Sequence, residues 1–240
     1  MHTEFGLLET ASEREAAERI RLALSASPDA FFADCRERCD AATRTVETAL
    51  REIGNAVDQC ERERLCWLGE LVAFADGLPI PRSVFRSALS ERDMGELCRR
   101  LARLDRCARK AGAVGLAFSS VQHLLSTAQT QLSEVSGFLL RAACATEGEN
   151  ARCLRELCAP LDREEQLLRK RVEEWRLIRN AWIGFCTEEI LRFLHEVRRR
   201  ADLAGEGREC DLSSLHRLTG EMRQRTEAVL KSALEKGRDL

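Results

Sequence analysis

The sequence predicts an all-α protein: an elongated antiparallel bundle of three long helices with shorter flanking helices. Three observations lead there. The 240 residues include no Tyr, only 4 Pro and 5% aromatic residues, which leaves little of what β-sheets favour. Ala, Leu, Glu and Arg, all good helix formers, fill long stretches of the chain. Apolar residues also recur at steps of three and four over segments much longer than an ordinary helix. With 44% hydrophobic and 32% charged residues the chain can build a core, and a disordered tail is excluded.

A first amphipathic segment runs from about Glu9 to Leu24 and stops at Ser27-Pro28-Asp29, where Pro removes a helix donor and Ser or Asp can cap the next helix. Residues 1–29 are thus set apart from a helical domain over 30–240. The first long helix carries Cys35, Cys39, Val46, Leu50, Ile53, Val57, Cys60, Trp67, Leu71 and Phe74 at helical spacing, and Gly77-Leu-Pro-Ile-Pro81 ends it. A short piece, Val84 to Leu89, leads to Ser90-Glu-Arg-Asp93, a capped start for the second long helix. That helix passes through Leu97, Leu101, Leu104, Val114, Phe118, Val121, Leu125, Leu132, Val135 and Leu139, with Gly112 and Gly115 weakening its middle. Breaks are expected at Glu147-Gly-Glu-Asn150 and at Ala159-Pro160, with a short helix or a kinked extension between them. The third long helix has the stripe Leu168, Val172, Trp175, Ile178, Trp182, Phe185, Ile190, Phe193 and Val197 and ends near Gly205-Glu-Gly207. A final helix spans about Leu212 to Leu234.

A helix of about 45 residues is roughly 65 Å long, so its apolar stripe is hidden only against another long helix or a partner chain. A homo- or heterodimer is the expectation, with Trp67, Leu71, Phe74, Val172, Trp175, Trp182, Phe185 and Phe193 as the stripe that forms its core or its dimer face.

Net charge is −2, unevenly spread: residues 1–96 carry −7, residues 97–200 carry +6 and residues 201–240 carry −1. Arg99, Arg103, Arg106 and Lys110, spaced four, three and four, share one helical face, with Leu97, Leu101 and Leu104 on the other side. With Arg100 and Arg109 this segment holds six cations against one acid, Asp105. Such a stripe suits anionic lipid headgroups or a phosphate backbone, and equally a solvated face. A second group, Arg169, Lys170 and Arg171, lies beside Glu164, Glu165, Glu173 and Glu174, which neutralise it through pairs one turn apart. The third is Arg198, Arg199 and Arg200.

No Gly-rich phosphate loop, His-Glu-x-x-His or Gly-x-Ser-x-Gly occurs, and the four His are isolated, so no catalysis and no cofactor are expected. His195 reads as a half-buried packing residue. The 11 Cys include no Cys-x-x-Cys; Cys35 and Cys39 sit one turn apart without further ligands, so no metal site is expected and the thiols read as reduced packing residues. No apolar run reaches membrane-spanning length and no signal-peptide pattern opens the chain, which places the expectation in the cytoplasm.

Glu63-Arg-Leu-Cys-Trp-Leu-Gly-Glu70 with Phe74, the connection Phe85 to Leu104, and above all Val172-Glu-Glu-Trp175 through Phe185-Cys-Thr-Glu-Glu-Ile190 and Arg192-Phe193 to Asp202-Leu203 carry a resemblance. Over about residues 30–235 the chain resembles the BAR domain of the sorting nexins. Gly148 and Pro160 fall where that family has helix or a tip. The resemblance implies a dimer that binds and shapes curved, anionic, phosphoinositide-bearing endosomal membrane in protein transport, with endosomal coat subunits as partners. The three basic groups are what it offers for the membrane face. Two alternatives stand beside it: a cytosolic helical assembly subunit or adaptor acting through protein contacts, and a nucleic-acid binder, disfavoured by the slightly acidic chain and the lack of a binding motif.

Overall fold

The computed structural model describes residues 11–78, 90–205 and 212–238, and among these every regular element is helical. The elements are α1 (Ala11–Ala26), α2 (Pro28–Asp76), α3 (Glu91–Ala145), α4 (Gly148–Gly184), a π-helical segment (Phe185–Ile190), α5 (Leu191–Gly205) and α6 (Leu212–Arg238). The all-α class is therefore the fold. The short piece expected over Val84 to Leu89 lies outside the described residues.

Local chemistry accounts for the helix ends. Pro28 opens α2, where its missing N–H has no intrahelical partner to lose. The Ser90 hydroxyl accepts the backbone N–H of Asp93 at 3.1 Å and caps α3 as expected. Gly148, at φ 61, opens α4 in the left-handed region that L side chains avoid. Two expected weaknesses do not interrupt helix. α3 continues through Gly112 and Gly115, and α4 continues through Pro160. The apolar neighbours explain this: Val114 and Phe118 are buried around the glycines, as are Leu154, Cys158 and Leu161 around the proline. Their burial outweighs a proline cost of about 3 kcal/mol.

The π-helical segment is the element the sequence did not announce. One wide turn lets Phe185, Cys186 and Ile190 all face the core and resets the stripe so that Phe193, Leu194 and Val197 continue on the same side.

The chain folds as two compact units, Met1–Arg51 with His123–Lys170, and Glu52–Gln122 with Arg171–Leu240. In the first, Phe31, Cys35 and Val46 of α2, Leu125, Leu132 and Leu139 of α3, and Leu154, Leu161 and Leu168 of α4 are buried. Phe31 meets Phe138 at 6.2 Å between ring centroids, and the Arg38 guanidinium lies 5.0 Å over the Phe138 ring. The segment α1 belongs to this unit: Ile20 and Leu24 are buried, and Arg21 Nε donates to the Ala145 carbonyl at 2.8 Å.

In the second unit the helices run antiparallel in heptad register. Arg100 meets Ala73, and seven residues on, Cys107 meets Cys66 seven residues back. The α3–α4 pair repeats this step: Trp182 Nε1 donates to the Ala111 carbonyl at 3.2 Å, and Phe118 packs edge-on against Trp175 at 4.9 Å. Trp67 meets Phe193 edge-on at 6.1 Å. Of the eight stripe residues, Trp67, Leu71, Phe74, Trp175, Trp182, Phe185 and Phe193 are buried within the single chain, and Val172 is half-buried. They are core within the single chain.

Candidate functional site

The basic residues divide by what holds them. Arg99 pairs with Glu96 at 3.0 Å. Arg100 pairs with the same carboxylate at 2.8 Å and donates to the Ala73 carbonyl at 2.5 Å, where it satisfies an end carbonyl of α2 and meets the negative pole of that helix. Gly77 leaves the guanidinium its room, since a Cβ there would collide with Arg100 Cζ. Arg169 pairs with Glu165 and Arg171 with Glu174, the one-turn neutralisation expected from spacing. Arg199 and Arg200 both engage Glu196, whose carboxyl their hydrogen bonds push down to about 2; Arg200 also reaches Ser214 on α6.

Arg103, Arg106, Arg109 and Lys110 stand differently. All four are exposed and take part in no ion pair among the described residues. The one acid of their segment, Asp105, is taken up by Arg198 from α5. The second unit thus joins the first and third basic groups at one place and silences the intervening negative charge. The middle group is divided between the units, Arg169 and Lys170 in the first and Arg171 in the second. Lys170 is exposed, likewise without an ion pair among the described residues. What remains on α3 is a helical face of four long, exposed cations paired with no carboxylate among the described residues, an arrangement able to neutralise a flat or extended anion.

A second feature of this unit is a groove of about 320 Å³ between α5 and α6, with the end of the π-helical segment at its edge. Phe193, Leu218 and Met222 supply its apolar lining; Glu189, Arg192, His195, Glu196, Glu221 and Arg225 surround them. Its charges are largely spent on each other: Arg225 holds Glu189, and Arg199 and Arg200 hold Glu196. His195 is exposed, which corrects its reading as a half-buried packing residue. Phe193 and Val197 face the core, and a residue two positions from each points about 200° away on an α-helix. The groove was missed in the sequence because residues 218, 222 and 225 show only that α6 has a face, not which helix meets it.

Burial raises the thiols of Cys60, Cys107 and Cys186 to about 12 and that of Cys35 to about 11, so these remain protonated at neutral pH. Among the described residues no group of three His, Cys, Asp or Glu is placed to hold a metal ion, and no helix is long and apolar enough to cross a membrane. No protein-family model, curated protein or solved structure compared with the chain matches it.

Proposed function

We propose that this protein is a non-catalytic helical scaffold that docks on anionic membrane surfaces through Arg103, Arg106, Arg109 and Lys110 of α3. The single observation carrying the reading is that these four cations are exposed together, free of ion pairs among the described residues, while most of the other basic residues singled out from the sequence are tied to carboxylates. Carried together on one helix, they meet a surface as a group, and each contributes on the order of 1 kcal/mol near an anionic leaflet. In the fuller form of this proposal the chain acts as the sorting-nexin BAR domains do, as a dimer on endosomal membranes in intracellular transport, with coat subunits as partners.

Sedimentation with vesicles tests it. The chain is expected to sediment with phosphatidylserine-containing vesicles and not with neutral phosphatidylcholine vesicles, and Arg103→Glu, Arg106→Glu, Arg109→Glu together abolish it. Equal sedimentation of the folded triple variant refutes the assignment.

The groove between α5 and α6 favours a second reading, a helical assembly subunit that receives an apolar segment of another protein. On that reading Leu218→Glu, at a half-buried lining position, abolishes complex formation and leaves vesicle binding unchanged.

A further inference from the structure

Ten cysteines lie within the described residues, and all are free thiols. Two of them touch: Cys107 Sγ and Cys66 Sγ are 3.5 Å apart, one on α3 and the other on α2. A disulfide bond is about 2.05 Å, so the sulfurs need to approach by about 1.5 Å, within reach of side-chain rotation and small helix shifts. Their positions arise from the antiparallel register. Cys107 lies on the buried face of α3 between Leu104 and Ala111; Cys66 lies one residue off the buried face of α2, beside Trp67. Cys107 is therefore a buried residue and Cys66 an exposed one, and their contact is part-buried.

We infer that Cys66 and Cys107 are a peroxide-responsive dithiol: Cys66 is the sulfur oxidised from solvent, and Cys107 resolves it into an intramolecular disulfide that ties α2 to α3. In the first step the Cys66 thiolate attacks one oxygen of a hydroperoxide. An S–O bond forms, the O–O bond breaks, and the departing oxygen leaves with a proton as water or an alcohol, oxidising Cys66 by two electrons to the sulfenic acid. In the second, the Cys107 sulfur attacks the Cys66 sulfur; the S–S bond forms, the S–O bond breaks, and the hydroxyl leaves as water with the Cys107 proton. The sum is two thiols and one peroxide giving a disulfide, water, and water or an alcohol.

The surroundings shape the rate. Burial first, then the adjoining Cys66 sulfur and, less, Glu63 and Glu70, hold the Cys107 thiol at about 12, which slows the resolving step at neutral pH and makes it faster in alkali. Cys107 is flanked by Arg106 and, two residues on, Arg109, so the bond would fasten the cation-bearing turn of α3 to its neighbour.

The test uses the full, reduced chain treated with hydrogen peroxide at pH 7 and pH 9, with the remaining thiols alkylated, then intact mass and peptide mapping. The expected result is loss of two hydrogens, a Cys66–Cys107 linked peptide, unchanged mobility on a non-reducing gel, and more linkage at pH 9. Cys107→Ala should stop the reaction at a Cys66 sulfenic acid that dimedone captures, and Cys66→Ser should leave Cys107 alkylatable after denaturation. Linked peptides that join other cysteines only, or Cys66 carried to the sulfinic acid in the wild-type chain with Cys107 still free, would overturn the inference. Because mapping of the wild-type chain decides it, the outcome does not depend on either variant folding.

Discussion

The division of the basic residues into exposed, unpaired cations and cations held by carboxylates makes a quantitative prediction for surface binding. Arg103→Gln, Arg106→Gln and Arg109→Gln remove three positive charges that no carboxylate in the described structure offsets. At about 1 kcal/mol each the loss is about 3 kcal/mol, or roughly 150-fold in the partition coefficient onto vesicles carrying an anionic lipid. The matched control removes whole ion pairs, Arg169→Gln with Glu165→Gln and Arg171→Gln with Glu174→Gln. It leaves net charge unchanged and is expected to move partitioning by no more than about twofold, since exposed pairs are worth about 0–1 kcal/mol. The assay is vesicle sedimentation over a range of lipid concentrations, with helicity checked by circular dichroism. Salt supplies a further check: at 1 M ionic strength the screening length falls to about 3 Å, and wild type and triple variant should converge. A folded triple variant that partitions within threefold of wild type at low salt, or a paired-residue control that loses as much as the triple variant, refutes the reasoning.

Other expectations concern stability. Trp182 Nε1 bonds the Ala111 carbonyl, whereas Trp67 Nε1 is buried without a partner; Trp182→Phe should therefore cost about 1 kcal/mol more than Trp67→Phe in urea unfolding, and equal costs would count against it. Gly148→Ala, at φ 61, should destabilise by about 1 kcal/mol although nothing lies within 4 Å of the added Cβ; an unchanged melting temperature would show that the turn relaxes. The Glu196 carboxyl is held at about 2 in the folded chain against an ordinary 4.5, so its contribution is present above pH 4.5 and is lost as pH falls toward 2. Because Arg199 and Arg200 lie near solvent, that contribution is about 1 kcal/mol, and Glu196→Gln should flatten the acid limb of the stability profile by that amount.

Much of the molecule was legible residue by residue. Ser90 and Asp93 announced the start of α3, Gly148 the break before α4, and the spacing of Glu165 to Arg169 the pair the structure contains, because each involves groups within about one helical turn. The stripe through Trp175, Trp182 and Phe193 was read as buried for the same reason: periodicity alone says which face avoids water. Pro160 was misjudged as a break because a local penalty was visible and the packing that exceeds it was not.

Tertiary structure decided the rest. That Asp105 is claimed by Arg198, that Arg100 is used at the end of α2, that Cys66 touches Cys107, and that His195 faces an open groove with α6 all depend on which helix lies beside which, and in what register. A 3.6-residue repeat determines the side of a helix that is buried, but it is nearly unchanged when one helix slides past another by a heptad. The π-helical turn at Phe185–Ile190 absorbs about one extra residue and so shifts the phase of the apolar stripe, and Phe185, Cys186 and Ile190 are buried within it.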